Sequence, residues 1–338
     1  MEPKKNIDPE TEFCKAVDTL IELNREHNEK VKNERILKND RIEQVNPRTK
    51  TANTILVKEK TVSREMKFTE ELKSTKKNHQ WTDDSINFIT GCGNQCKYCY
   101  SLEMATLFRH FDPSNWSNEI IRQKDLEKKI KQYPKMVMFP SSHDIRPNHL
   151  VESVIVLDKI LKAGNEVLVT SKPHFECIES ICETFQDHKD KILFRFTIGS
   201  VDSQILKFWE TNAPSFEERF KSLKLAFNMG YRTSVSAEPL LDKDVDQLIK
   251  TLSPFITDTI WIGKMEHPIK RLTSNGYTDQ LTIQKAHELI TWQNDPNFIQ
   301  HLYQTYKNNP MIRWKTSYLE EMSKIEMGLK CIANIAIR

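Results

Sequence analysis

The sequence predicts an α/β protein whose main domain is a full or partial (β/α)6 barrel of the TIM type. Its 338 residues are enough for one large domain of this kind. From residue 86 to residue 265, short β-branched or apolar runs alternate with longer segments of helical periodicity. A loop with three cysteines directly follows the first of these runs, and parallel barrels carry their chemistry at that end of each strand. We therefore expect the functional site beside this loop.

Each predicted strand is a short run of β-branched or apolar residues. The six strands are predicted at residues 86–88, 136–139, 166–169, 192–196, 233–236 and 259–262. Helices are predicted between them at residues 150–163, 175–185, 215–229 and 244–253. Gly164 and Gly230 end two of these helices just before a strand. Right-handed crossovers between such units give a parallel sheet that curls into a barrel.

The segments on both sides of the barrel are predicted to be extensions. Residues 1–80 are predicted to form a helix and then a polar, basic stretch, because residues 30–80 hold 14 Lys and Arg against 7 Asp and Glu. A solvated charged face explains this excess better than a nucleic-acid contact, since few aromatic residues are interleaved. Residues 81–265 are the predicted barrel. Residues 266–338 are predicted to be an α-rich extension, with a polar loop at 267–280, helices within 281–306 and a last strand at 311–314.

Composition limits the protein's class and surroundings. The net charge is only +3, which gives no strong indication of nucleic-acid binding. No apolar run reaches the length of a membrane span, and the first residues lack the apolar core of a secretory signal. We therefore expect no membrane association and a cytoplasmic location. The seven cysteines are an odd number, and those outside the loop are scattered, which indicates a reducing compartment.

The cysteine loop, residues 91–99, has the strongest motif in the chain. Its three cysteines have the spacing CxxxCxxC and are Cys92, Cys96 and Cys99. Three thiolates this close can hold one polynuclear metal centre, and Gly91 and Gly93 give the backbone freedom to wrap it. Structural zinc sites and iron–sulfur clusters usually take four cysteine or histidine ligands, so three cysteines leave one metal position open. The alternative is a zinc site completed by His79 or His110.

The CxxxCxxC spacing, with the aromatic Tyr98 just before the last cysteine, resembles the signature of the radical S-adenosylmethionine (SAM) superfamily. The resemblance implies a [4Fe–4S] cluster on the three cysteines, with SAM bound to the open iron through its amino and carboxylate groups. It also implies a one-electron reductant of the flavodoxin or ferredoxin type. The implied reaction is reductive cleavage of SAM to a 5′-deoxyadenosyl radical, which takes hydrogen from a substrate.

Further segments resemble the spore photoproduct lyase branch of this superfamily. In chain order they are CGNQCKYCY, LVTSK, RFTIG, APSFEERFKSL and SVSAEPLL. The resemblance covers about residues 86–242. It implies a nucleic-acid lesion as one class of substrate, and an unrelated small or macromolecular hydrogen donor is the other class left open.

The resemblance and the barrel order together assign cofactor-binding roles to polar residues at the strand ends: Ser142, Asp144, Lys172, Thr197 and Glu238. Ser142 and Asp144 would accept hydrogen bonds from the methionine ammonium of SAM, and Lys172 would pair with its carboxylate. Thr197 would reach the ribose or methionine, and Glu238 the hydroxyls of ribose or substrate. Each residue also has a structural alternative. These are a helix cap or turn before residue 150, a solvated turn for Lys172, packing for Thr197, and pairing of Glu238 with Arg195 or Lys264.

Tyr98 and Tyr100 resemble tyrosines that relay hydrogen in the lyase, so they are the predicted catalytic residues. Shielding of the cluster is the alternative, and we favour it for Tyr98. Ser141 stands where the lyase has a cysteine that returns hydrogen to the product, and a serine O–H bond is too strong for that step. Efficient thymine-dimer reversal is therefore not expected. Cys177 is the nearest other thiol, but its helical position with Cys182 favours a place in the core.

Two functions are compatible with these residues. The sequence favours a radical SAM enzyme with an unidentified substrate. The second is a non-catalytic interaction protein that binds zinc or an iron–sulfur cluster. The segments predicted to cover the barrel mouth, residues 116–129 and 267–280, match no pattern that would name a substrate.

Overall fold

A parallel sheet is the centre of the structure. The computed structural model describes Thr82 and residues 84–322. In chain order its strands are β1 (Asp84–Ser85), β2 (Ile89–Thr90), β3 (Ile120–Ile121), β4 (Val137–Phe139), β5 (Val167–Ser171), β6 (Ile192–Thr197), β7 (Arg232–Ala237), β8 (Ile260–Ile262) and β9 (Ile312–Trp314). Seven of them form one sheet in the order β1-β4-β5-β6-β7-β8-β9, in which all neighbours are parallel. β2 and β3 form a separate antiparallel pair.

The predicted α/β class is confirmed, with one strand misplaced. β4 to β8 lie on five of the six predicted runs, and β9 lies on the predicted last strand. The prediction at residues 86–88 is wrong, because these residues lie between β1 and β2. The Ile86 N–H still donates to the Met138 carbonyl at 2.9 Å, but Phe88 already accepts from the Arg122 N–H at 2.7 Å. The chain thus leaves the large sheet here for the β2–β3 pair.

Helices connect the strands. In chain order the described helices are α1 (Tyr100–Arg109), α2 (Gln123–Glu127), α3 (Leu150–Lys162), α4 (Phe175–Thr184), α5 (Ser203–Trp209), α6 (Phe216–Asn228), α7 (Val245–Leu252), α8 (Pro268–Ser274), α9 (Gln280–Gln293) and α10 (Pro296–Tyr306). α3, α4, α6 and α7 match the predicted helices, and α9 and α10 fall in the predicted helical tail. The loop predicted at 267–280 is partly wrong, because α8 lies within it. Pro268 is suited to the first position of that helix.

The main hydrophobic core joins the sheet to its connecting helices. One apolar residue from each predicted helix is fully buried there: Leu157, Ile178, Leu223 and Leu248. Cys177 and Cys182 of α4 are also fully buried, so their predicted place in the core is confirmed. The Tyr231 hydroxyl donates to the Cys182 carbonyl at 2.7 Å, which fixes α4 against the start of β7.

The sheet places the predicted polar residues at one edge. Lys172 directly follows β5, Thr197 is the last residue of β6, and Glu238 directly follows β7. Because these strands are parallel neighbours, their carboxyl ends meet on the same side of the sheet. The N-terminal helix, the basic stretch and His79 lie outside the described residues. Among the described helices, none is both long and apolar enough to cross a membrane.

The core makes a prediction about stability. Leu157→Ala should lower the free energy of unfolding by about 2–5 kcal/mol, because it leaves a cavity at a fully buried position. Leu281→Ala is the matched control, since the Leu281 side chain is 56% exposed, and its effect should stay within about 0.5 kcal/mol. Urea denaturation followed by circular dichroism measures both. Equal effects would contradict this placement of α3 in the core.

Candidate functional site

A cavity of about 450 Å³ opens at the carboxyl edge of the sheet, within the size range of ligand pockets. It brings together all ten predicted site residues, which come from five separate parts of the chain. They are Cys92, Cys96, Tyr98, Cys99, Tyr100, Ser142, Asp144, Lys172, Thr197 and Glu238. The order of the parallel strands therefore brings these side chains together, as the sequence predicts. The role of each residue stays a prediction.

The first part of the cysteine loop packs closely on the segment before β3. The Cys92 N–H donates to the Trp116 carbonyl at 2.8 Å. Gly91 has a φ of 98°, and a Cβ there would lie 2.7 Å from the carbonyl oxygens of Trp116 and Asn118. Glycine is therefore required at this position both for its backbone conformation and for the close approach.

A carboxylate and a guanidinium fix the next residues of the loop. The Gly93 N–H donates to Glu119 Oε1 at 2.9 Å, and Arg146 Nη1 pairs with Glu119 Oε2 at 2.9 Å. Arg146 lies directly over Gly93, because a Cβ on that glycine would be 1.8 Å from Arg146 Nη1. Gly93 thus lets the guanidinium cover the loop.

The second half of the loop is held by two later segments. Cys96 forms an isolated antiparallel bridge with Glu210, and the Lys97 N–H donates to the Trp209 carbonyl at 2.9 Å. From the end of α8, Asn275 Nδ2 donates to the carbonyls of Lys97 and Cys99 at 2.9 and 3.0 Å. These bonds replace the regular secondary structure that the loop lacks.

The three cysteines suit a metal centre because their sulfurs are thiols at one cavity. Burial raises the pKa of all three thiols, that of Cys92 to about 12, so an uncompensated thiolate is disfavoured. A bound metal would supply the missing positive charge and displace the protons. Among the described residues, no group of three or more His, Cys, Asp or Glu side chains could hold a single metal ion. Cysteines of a [4Fe–4S] cluster instead bind separate irons.

Asp144 and Lys172 form a partly buried pair beside the cysteines. Asp144 Oδ1 accepts from the Lys172 N–H at 2.7 Å, and Asp144 Oδ2 accepts from Asn94 Nδ2 at 2.8 Å. Lys172 Nζ lies 3.9 Å from Asp144 Oδ2. Burial alone would raise the pKa of Asp144, but the lysine ammonium and these hydrogen bonds hold that pKa below its usual value. The pair therefore stays charged at neutral pH.

The structure contradicts two of the structural alternatives, the solvated turn for Lys172 and the helix cap for Ser142 and Asp144. Lys172 is not in a solvated turn, because only 12% of its side chain is exposed. Ser142 and Asp144 do not cap α3, which begins after His149 and has no side-chain cap among the described residues. Glu238 pairs with Lys315, 2.8 Å away, and its charge also acts on Arg195, one of the two partners predicted for it.

The two predicted catalytic tyrosines have different surroundings. Tyr98 is buried, and its hydroxyl donates to Glu210 Oε1. Tyr100 is 57% exposed, and the guanidinium carbon of Arg271 lies 5.4 Å from its ring centroid. Tyr100 is thus the tyrosine with a hydroxyl open to a substrate, whereas that of Tyr98 is already engaged.

Sequence reasoning missed His143, Glu210 and Arg219. His143 lies between two predicted residues, and burial lowers its pKa to about 4, so its imidazole is neutral. Glu210 and Arg219 form an ion pair directly behind Tyr98. Arg219 lies in the segment APSFEERFKSL that supports the resemblance, and that resemblance is the feature of the sequence that could have pointed to Arg219.

The known proteins that match this chain do so at low sequence identity. No protein-family model matches the chain. An uncharacterized protein of Acidianus two-tailed virus is 22% identical over 204 residues, which are 54% of this chain and 67% of the viral protein. Among solved structures, a spore photoproduct lyase mutant matches with 15% identity and a TM-score of 0.43, over 79% of this chain and 88% of its own.

A second solved structure is SuiB of Streptococcus suis bound to S-adenosylmethionine. It matches with 12% identity and a TM-score of 0.41, over 84% of this chain. This chain spans 58% of the length of SuiB. Spore photoproduct lyase is thus among the solved structures that this chain matches.

The loop geometry makes a prediction about Gly91. Gly91→Ala should cost more stability than Gly276→Ala and should also reduce iron uptake, because it displaces Cys92. Gly276 is the matched control, since its φ is 85° but a Cβ at that position would have its nearest neighbouring atom 3.9 Å away. The free energy of unfolding of that control should fall by only about 1–2 kcal/mol, the cost of placing alanine in the left-handed backbone conformation. Urea denaturation and iron analysis measure both variants, and equal losses would contradict the close approach.

Proposed function

We propose that this chain is a radical SAM enzyme in which Cys92, Cys96 and Cys99 hold a [4Fe–4S] cluster. The observation that supports this most is the shared cavity, where the three cysteines meet the charged pair Asp144 and Lys172. When bound, the cluster would supply one electron to the sulfonium of SAM, which gives methionine and a 5′-deoxyadenosyl radical. The large sheet would be the partial barrel of the radical SAM kind, with the predicted extensions at residues 1–80 and 266–338.

The chain's own residues would bind and orient SAM. Lys172 Nζ would pair with the methionine carboxylate, and Ser142 and Asp144 would accept from the methionine ammonium. The oxygens of Asp144 already accept from Asn94 and Lys172, so Asp144 would also fix the position of both partners. Thr197 and Glu238 would take the hydroxyls of ribose or substrate.

The substrate would enter on the side of Tyr100. This exposed tyrosine lines the cavity together with Ser141 and Ser142. Ser141 Oγ accepts from Asn87 Nδ2 at 2.8 Å, so it is tied to the backbone turn before the cysteine loop. Its O–H bond is too strong to return hydrogen to a carbon radical, which favours a reaction other than thymine-dimer reversal. A nucleic-acid lesion and another hydrogen donor both stay open as substrates.

The proposed enzyme would need a one-electron donor of the flavodoxin or ferredoxin type. Its expected setting is the cytoplasm, where thiols stay reduced. The alternative function, a non-catalytic zinc or iron–sulfur protein, differs in a simple property. An anaerobically purified brown protein that bleaches with dithionite supports the proposal, and a colourless protein containing zinc supports the alternative.

The cluster assignment is tested by replacing cysteines. Cys92→Ala, Cys96→Ala and Cys99→Ala should each lose most bound iron and all SAM cleavage, because each removes a ligand. Cys177→Ala and Cys182→Ala are the controls and should keep their iron, since both α4 thiols lie in the hydrophobic core. Iron analysis and chromatography of 5′-deoxyadenosine measure the outcome. Iron retained in the Cys96 variant and lost in the Cys177 variant would overturn the assignment.

The SAM-binding assignment is tested at Lys172. Lys172→Gln should keep the cluster but weaken SAM binding by about 1.5–3 kcal/mol, the usual worth of a hydrogen bond to a charged group. Lys97→Gln is the matched control within the loop, because Lys97 Nζ bonds Thr282 at 3.0 Å and lies over the Phe208 ring. Calorimetric titration of SAM into reconstituted protein measures both. Unchanged affinity in the Lys172 variant would remove this residue from the site.

A further inference from the structure

We propose that Arg219 is a positioning residue for the cysteine loop and that, through its ion pair with Glu210, it balances the charge beside the metal centre. This inference rests on the proposed function, because it concerns the cluster that the loop would hold. Neither residue is among the described residues that line the cavity, so both would act from behind the loop.

Arg219 is a fully buried cation with partners on three sides. Its side chain has no exposed surface, and it forms an ion pair with the equally buried Glu210. Arg219 Nε donates to the Pro214 carbonyl at 2.9 Å, and Nη1 donates to the Thr197 carbonyl at 3.1 Å. A buried ion pair is retained only when further hydrogen bonds offset its desolvation. Arg219 therefore joins the end of β6 to Glu210 by fixed bonds.

Glu210 links Arg219 to the cysteine loop. It lies opposite Cys96 in the antiparallel bridge, and its carboxylate also accepts from the Tyr98 hydroxyl. Directly opposed residues in such a pair project to the same face, with Cβ atoms about 4.5–5.5 Å apart. The loop is thus held next to Cys96 by the backbone bond from the Lys97 N–H to the Trp209 carbonyl, and at Tyr98 by a side-chain bond.

The pair also has an electrostatic consequence. A carboxylate beside a cysteine ligand disfavours the extra negative charge that a cluster gains on reduction, and a guanidinium favours it. In the intact pair the two charges largely cancel. Removing one partner should leave the other charge acting on the cluster, so the two single variants should shift its reduction potential in opposite directions. A merely structural role would give no such change of sign.

The test compares Glu210→Gln, Arg219→Gln and the double variant, each reconstituted anaerobically with iron and sulfide. We expect a less negative potential in Glu210→Gln, a more negative one in Arg219→Gln, and a value near that of the starting protein in the double variant. Arg219→Gln should also bind iron about 10- to 100-fold more weakly, as is usual when a support of a metal ligand is lost. Potentiometric titration monitored by electron paramagnetic resonance measures the reduction potentials, and iron analysis measures iron binding.

Asp258→Asn is the matched control, because it removes the carboxylate 3.7 Å from another buried arginine, Arg195, and should change neither potential nor iron. If Arg219→Gln does not fold, the test rests on the other two variants: the reduction potential should be less negative in Glu210→Gln and should return to the starting value in the double variant. Unchanged potentials, or shifts of one sign in both single variants, would overturn the inference. A starting protein that binds no iron would instead overturn the proposed function, so the two failures are distinguishable.

Discussion

The candidate site depends on the hydrogen bonds that the partly buried carboxylate of Asp144 accepts. This carboxylate lies beyond the end of β4, and its two oxygens accept from the Lys172 N–H after β5 and from Asn94 in the cysteine loop. Hydrogen bonds to a charged group contribute about 1.5–3 kcal/mol each, so the two bonds together offset part of the entropy lost in ordering the loop, about 1–2 kcal/mol for the backbone of each residue. One carboxylate therefore bonds both the cysteine loop and the residue that follows β5.

The cysteine loop has no internal ladder of hydrogen bonds, and its shape comes from partners far away in the chain. Trp116 fixes its start, Glu210 its middle and Asn275 its end. These partners restrict the conformations that the loop can adopt. This division of labour is common at functional sites, where a rigid scaffold positions an irregular segment.

The strands and the cavity were predictable because their signals are local. Apolar runs give β4 to β8, and parallel strands must bring Lys172, Thr197 and Glu238 to one edge whatever the details of packing. The partners of these residues were not predictable in the same way. Lys315, which follows β9, forms an ion pair with Glu238, and Arg219 of α6 forms one with Glu210, which follows α5. Both ion pairs depend on how these elements pack in the fold. The misplaced first strand has the same cause, since Phe88 is bonded to Arg122 of a segment that sequence periodicity does not relate to it.

The strands of the large sheet lie side by side in the order in which they are synthesised. Each new strand can therefore dock on the edge left by the one before it, and no strand has to insert between two that already pair. The walls of the cavity form in the same sequence, from the cysteines to Lys172, Thr197 and Glu238. Lys315 follows β9 and is synthesised after all of these residues, so Glu238 gains this ion-pair partner only once β9 has left the ribosome.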